Sequence, residues 1–109
     1  MSRPWMPLYV ADYLADTAHL SAAESGAYLH LIMHYWLKGG LPSDHQQLAK
    51  IARMSLKLFN RSVPVLNPFF GPNWTHKRVE QELLKARELT EKRRSAVAKR
   101  KDRFPTNER

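Results

Sequence analysis

The chain has no cysteine among its 109 residues. Disulfides, thiolate zinc sites and cysteine nucleophiles are therefore excluded, and the composition fits a reducing cytoplasm. Glycine is scarce, with four residues, and the pair Gly39-Gly40 reads as a turn rather than as a phosphate-cradling loop. Long hydrophobic runs are missing. The most apolar stretch, residues 27–37, is interrupted by His30 and His34 and falls well short of the ~20 residues that span a bilayer, so no membrane partner is expected. The opening Met1-Ser-Arg-Pro-Trp-Met-Pro7 has no apolar core of the kind a signal peptide needs. Acidic residues are also few: 10 against 18 Lys and Arg, for a net charge of +8.

What is present is enough for one domain. The chain is 43% hydrophobic, with three Trp, four Tyr and four Phe, a content that argues against wholesale disorder. The charge is unevenly placed. Residues 1–76 hold six basic and four acidic side chains, whereas residues 77–109 hold twelve and six. The decapeptide Lys92-Arg-Arg-Ser-Ala-Val-Ala-Lys-Arg-Lys101 has six cations and no acid. A modestly charged domain with a basic extension favours a polyanionic partner. The plain alternative is a solvated charged helix that serves solubility.

Helix signals punctuate the chain. Pro4 and Pro7 keep residues 4–7 extended, and the spacing of Val10, Tyr13 and Leu14 predicts a short first helix. Ser21-Ala-Ala-Glu24 is a capping box, and Gly39 offers a left-handed stop. A mostly apolar helix over 21–38 is the expected centre of the core. Ser43 with Gln46 predicts a second capping box ahead of a helix reaching Ala52. Ser55 opens the next helix, with Leu56, Phe59, Val63 and Leu66 as its core stripe. Pro64 should kink that helix or end it near Ser62. Asn67 to Arg78 then reads as strand, turn, strand. A long helix begins near Val79, with Val79, Leu83, Ala86 and Leu89 or Thr90 as its apolar face.

Two capped helices separated by a short turn form a helix-turn-helix pattern. With a helix before it and a hairpin after it, the expected fold is mainly α with a small β-hairpin: a winged helix-turn-helix with a long basic C-terminal helix. Residues 1–78 would form the winged-helix-like domain. Residues 79–98 would be a helix packing on that domain or on a partner, and 99–109 a basic, disordered tail. In such an arrangement Lys57, Asn60 and Arg61 have the chemistry to read bases or hold phosphates, with Lys50 and Arg53 beside them. His76, Lys77 and Arg78 would sit on the second wing strand near phosphates. Lys92, Arg93, Arg94, Lys99, Arg100 and Lys101 would add salt-sensitive, sequence-independent affinity for duplex or single-stranded DNA. The same fold also serves protein contacts.

Catalytic signals are weak. His30 and His34 are four apart, but the intervening residues lack the Glu of a zinc-protease motif, so packing or hydrogen bonding is the expected role. Asp12 and Asp16 share a helical face with His19 close behind. A two-carboxylate nuclease site there would need further ligands that the chain does not supply. No enzyme activity, metal or other cofactor is expected.

The block Trp5-Met-Pro-Leu-Tyr-Val-Ala-Asp-Tyr-Leu-Ala-Asp-Thr-Ala-His-Leu-Ser21 resembles the opening of the YdaU-like phage and prophage family, a domain of unknown function. Gly26-Ala-Tyr28, His34-Tyr-Trp36, Gly40-Leu-Pro42 and Trp74-Thr-His-Lys-Arg78 continue the likeness, which covers roughly residues 4–95. The resemblance implies a protein encoded among phage replication genes, with a role in replication initiation or primosome assembly, and a replicative helicase or helicase loader as partner. It carries over no catalytic residues. Members often continue into a longer variable C-terminal region, so the resemblance implies a partner-binding segment beyond Arg109. The expected function is DNA binding in that context. The alternative is a protein-interaction adaptor without direct DNA readout, and the apolar stripe of the C-terminal helix could also pair two chains as a homodimer.

Overall fold

A computed structural model describes residues 4–103, with side chains described as far as Lys99. Five α-helices carry the structure: α1 (Val10–Asp16), α2 (Ala22–Lys38), α3 (His45–Ala52), α4 (Leu56–Leu66) and α5 (Lys77–Arg103). Two single 3₁₀ turns, Asn67–Phe69 and Pro72–Trp74, connect α4 to α5.

The central element is α2. Ser21 Oγ accepts from Glu24 N at 3.1 Å, and the Glu24 carboxylate accepts from Ser21 N at 2.9 Å. This reciprocal cap satisfies two amides that the first turn leaves without partners. At the far end Gly39 adopts φ 83 and closes the helix on Tyr35 O, a conformation that costs glycine little. Between these ends α2 buries Ala27, Tyr28, Leu31, Ile32, Tyr35 and Trp36, and it packs against α3, α4 and α5.

The α3–α4 pair covers one side of α2. The cap of α3 is Asp44, which accepts from Gln47 N at 3.2 Å, one residue later than the expected Ser43. The carboxylate also suits the positive end of the helix dipole. Ser55 caps α4 as its sequence implies, accepting from Leu58 N at 3.1 Å. Arg53, in the turn between them, takes φ 61, a left-handed conformation that favours glycine. Helix α4 runs through Pro64 to Leu66 rather than ending near Ser62. The donor that Pro64 lacks would have served the carbonyl of Asn60, an exposed position where water can substitute. Buried Phe59, Ser62 and Leu66 hold the helix to the core, whereas Leu56 is 39% exposed and leaves the expected stripe.

The described residues contain no strand, so the hairpin and with it the winged helix-turn-helix architecture are not what this chain forms. Pro68 and Pro72 each begin a local turn instead of entering a ladder they cannot donate to. Phe70 N bonds Asn67 O at 2.9 Å and Thr75 N bonds Pro72 O at 3.3 Å. Asn73 and Trp74 take φ of 56 and 59, which turns the Trp74 ring inward. It packs on Phe70, Phe59 and His45, with ring centroids 5.2, 5.8 and 6.2 Å away. The aromatic pattern that reads as two strands is a plug in the helical core.

Helix α5 starts at Lys77. It buries Val79, Glu82 and Leu83, and all of residues 91–99 are exposed. Its 27 residues extend ~40 Å, which accounts for the elongated shape of 65 × 29 × 22 Å. The tail expected over 99–109 begins inside this helix, which reaches Arg103, and its remainder, 104–109, lies outside the described residues.

Candidate functional site

The start of α5, α1 and the N-terminal segment enclose a polar-aromatic junction. His76 is buried and closes the first turn of α5. Its carbonyl accepts from Glu80 N at 2.9 Å and its Nδ1 accepts from Val79 N at 3.2 Å. With Nδ1 occupied as an acceptor, the ring proton sits on Nε2, which donates to Tyr28 Oη at 2.8 Å. Burial and, secondarily, the Arg78 charge push the His76 pKa below its ordinary value, favouring the neutral ring that this bonding requires. Burial, reinforced by Asp16 and Tyr13, raises the Tyr28 phenol to about 12, so its proton stays on.

Arg78 ties the start of α5 to α1 and the segment before it. Its guanidinium lies 3.3 Å from Asp12 Oδ2 and 4.8 Å from the centre of the Tyr9 ring. Tyr9 Oη donates to buried Glu82 at 3.2 Å, and Lys85 lies 3.6 Å from the same carboxylate oxygen. Tyr13 Oη donates to Ser25 O at 3.1 Å and holds α1, none of whose residues is fully buried. Tyr35 donates to Glu80; burial and that hydrogen bond raise the Tyr35 pKa.

Between these groups lies an open cleft of about 420 Å³, walled by Tyr9, Tyr13, Tyr28, Phe69 and His76. Asp16, Lys77 and Gln81 also line it and are exposed. Its size falls in the range of ligand sites, and aromatic walls with a few polar groups are typical of them. Sequence reasoning missed the cleft. Only the density of Tyr, Trp and Pro in residues 4–13 hinted at it, because the walls come from segments more than 60 residues apart.

The expected nucleic-acid contacts divide into three groups. His76 is an internal cap rather than a wing residue, and Arg78 is already paired; Lys77 is exposed and, among the described residues, carries no ion pair. On the α3–α4 surface Lys50, Arg53, Lys57 and Arg61 are exposed. Asn60 is engaged instead: Nδ1 of His45 donates to its Oδ1 at 2.8 Å, which ties α3 to α4 and occupies one edge of the amide. Along α5, Lys92, Arg93, Arg94 and Lys99 are exposed, and only Arg94 has a partner among described residues, Glu91 at 3.5 Å. The expected contacts of Arg100 and Lys101 rest on side chains outside the described residues.

His30 Nδ1 donates to Gly26 O at 2.8 Å, and Asp12 is committed to Arg78. Among the described residues no three potential metal ligands cluster, and no helix is long and apolar enough to cross a membrane.

Residues 4–83 match the family described as "Protein of unknown function (DUF1376)". The chain belongs to this family. It is 47% identical over 96 residues to the uncharacterized protein YdaU of Escherichia coli (strain K12), an alignment covering 85% of this chain and 33% of that relative. The chain thus spans about a third of the relative's length. No solved structure matches. The DUF1376 segment contains α1 to α4, the cleft and the packed first turns of α5, and it ends before the exposed cations at 92–99.

Proposed function

We propose that this DUF1376 domain binds DNA through exposed cations and acts in phage or prophage DNA replication, at initiation or primosome assembly. The observation that carries the reading is the free-standing half of α5. Residues 91–99 touch no core, and Lys92, Arg93 and Lys99 lack ion-pair partners among the described residues. A solvent-exposed cationic helix of this kind releases counterions when it meets phosphates, and needs no base readout to do so. Lys50, Arg53, Lys57 and Arg61 supply a second basic surface on α3–α4. The replication context derives from the family resemblance in the sequence. The test is a salt titration of DNA binding. Changing Lys92, Arg93, Arg94 and Lys99 to Gln lowers the slope of log K against log salt by about 3 to 4 on duplex. Absence of salt-sensitive binding by the unaltered chain near physiological ionic strength would falsify the proposal.

A second reading is a protein-interaction adaptor for a replicative helicase or its loader. It is favoured by Trp5, Val10 and Leu14, which are 73%, 60% and 62% exposed. Val10 and Leu14 lie one helical turn apart on α1, and neighbouring exposed apolar side chains mark contact surfaces. Capture of a helicase or loader that survives nuclease treatment supports this reading, and loss of capture on nuclease treatment returns it to the first.

A further inference from the structure

We infer that the cleft between the N-terminal segment and the start of α5 is a nucleotide site, which takes one base of a single strand against its aromatic walls and the adjoining phosphate at Lys77. The inference rests on the nucleic-acid reading above and extends it to strand preference and to a site.

Three features carry it. The first is the shape and lining of the cleft, about 420 Å³ and open to solvent, with Tyr9, Tyr13, Tyr28 and Phe69 as walls. Tyr13 and Tyr28 lie nearly parallel, 16° apart with centroids 6.0 Å apart, and Tyr28 packs 4.6 Å from Phe69. These contacts fix the inner rings, while Tyr9, 44% exposed, and half-buried Tyr13 keep ring surface at the edge of the cavity for a planar heterocycle, and every base has a face to stack on it. The second is the distribution of unspent polar groups. Glu82 is occupied by Tyr9 and Lys85, Arg78 by Asp12, and His76 by Tyr28 and the α5 amide. Asp16, Lys77 and Gln81 remain, exposed and without a hydrogen bond or ion pair among the described residues. A carboxylate and an amide can meet the amino and ring-nitrogen edge of a base, while an ammonium meets phosphate. The third is depth. A base inside a duplex is stacked on both faces and cannot enter such a cleft without being extruded, whereas an unpaired base enters freely. The formal charges lining the cleft cancel, Asp16 and Glu82 against Lys77 and Arg78. Recognition therefore comes from stacking and from single contacts rather than from net potential.

The experiment compares three probes on the full chain: adenosine 5′-monophosphate, a 12-nucleotide single strand and the matching duplex, read by anisotropy and by amide shifts of Lys77, Val79 and Gln81. Two variants are used, Lys77→Glu and Tyr9→Ala. A Glu in the first turn of α5 suits the helix dipole, so Lys77→Glu keeps the fold, and thermal melting checks Tyr9→Ala. The expected result is single-strand affinity reduced about fivefold or more in each variant, the effect of losing one stacked base or its phosphate contact. Duplex affinity should change less than twofold, with amide shifts confined to the cleft. Unchanged single-strand affinity in both folded variants overturns the site while leaving general DNA binding intact. Mononucleotide shifts at the cleft without any oligonucleotide binding support the site with free nucleotide as its source and overturn the nucleic-acid reading. No shift with any probe overturns the site.

Discussion

His76 links the charge state of one ring to the anchoring of a 27-residue helix. Its depressed pKa means that, as pH falls, the unfolded chain takes up a proton before the folded one does. The contribution of His76 is therefore fully present above its ordinary value near 6.5, and is lost as pH falls from there toward the depressed native value. Thermal unfolding at pH 7.5 and 5.5 should show lower stability at the acid end. The difference should shrink in His76→Asn, whose amide oxygen still accepts from Val79. Arg53 offers a second test at this scale. Because it sits at φ 61, Arg53→Gly should stabilise the domain by about 0.5–1 kcal/mol in urea titrations. Neither effect is visible from composition: the first needs a buried neighbour 48 residues away, and the second a backbone angle.

Caps decide where the helices begin. Asp44→Ala should cost about 1 kcal/mol and Ser43→Ala less than about 0.5 kcal/mol, because Asp44 receives the Gln47 amide. If denaturant midpoints showed Ser43 to be the costlier loss, the cap would lie one residue earlier. Phe59 shows what a core position is worth. It is fully buried against Trp74 and His45, so Phe59→Ala should cost about 3–5 kcal/mol. Most helices were legible in the chain, since capping boxes and a left-handed glycine are local chemistry. The 67–78 segment was not. Alternating aromatics and turn residues fit a hairpin, but two prolines and two left-handed residues close local turns, and Trp74 finds its partners on α3 and α4.

Across the whole molecule, a compact helical body and a projecting basic helix separate stability from charge. Replacing Lys92, Arg93, Arg94 and Lys99 with Gln should leave unfolding free energy within about 0.5 kcal/mol of the parent, since these side chains touch no core. The same variant should lose salt-dependent DNA affinity. A large stability loss would mean that the outer half of α5 packs on something, and would favour a paired helix over a free one.

The sequence by itself determined the helical core, the caps at Ser21 and Ser55, the basic character of the C-terminal third and membership of the DUF1376 family, because periodicity, local capping, charge and family motifs are written in the order of the residues. Only the tertiary structure decided that no wing forms, that His76 is a cap and Asn60 a bridge between helices, and that Tyr9, Tyr13, Tyr28 and Phe69 enclose a cleft with α5. Those outcomes depend on which distant side chains compete for the same buried space and the same hydrogen-bond partners, and no local pattern records that competition.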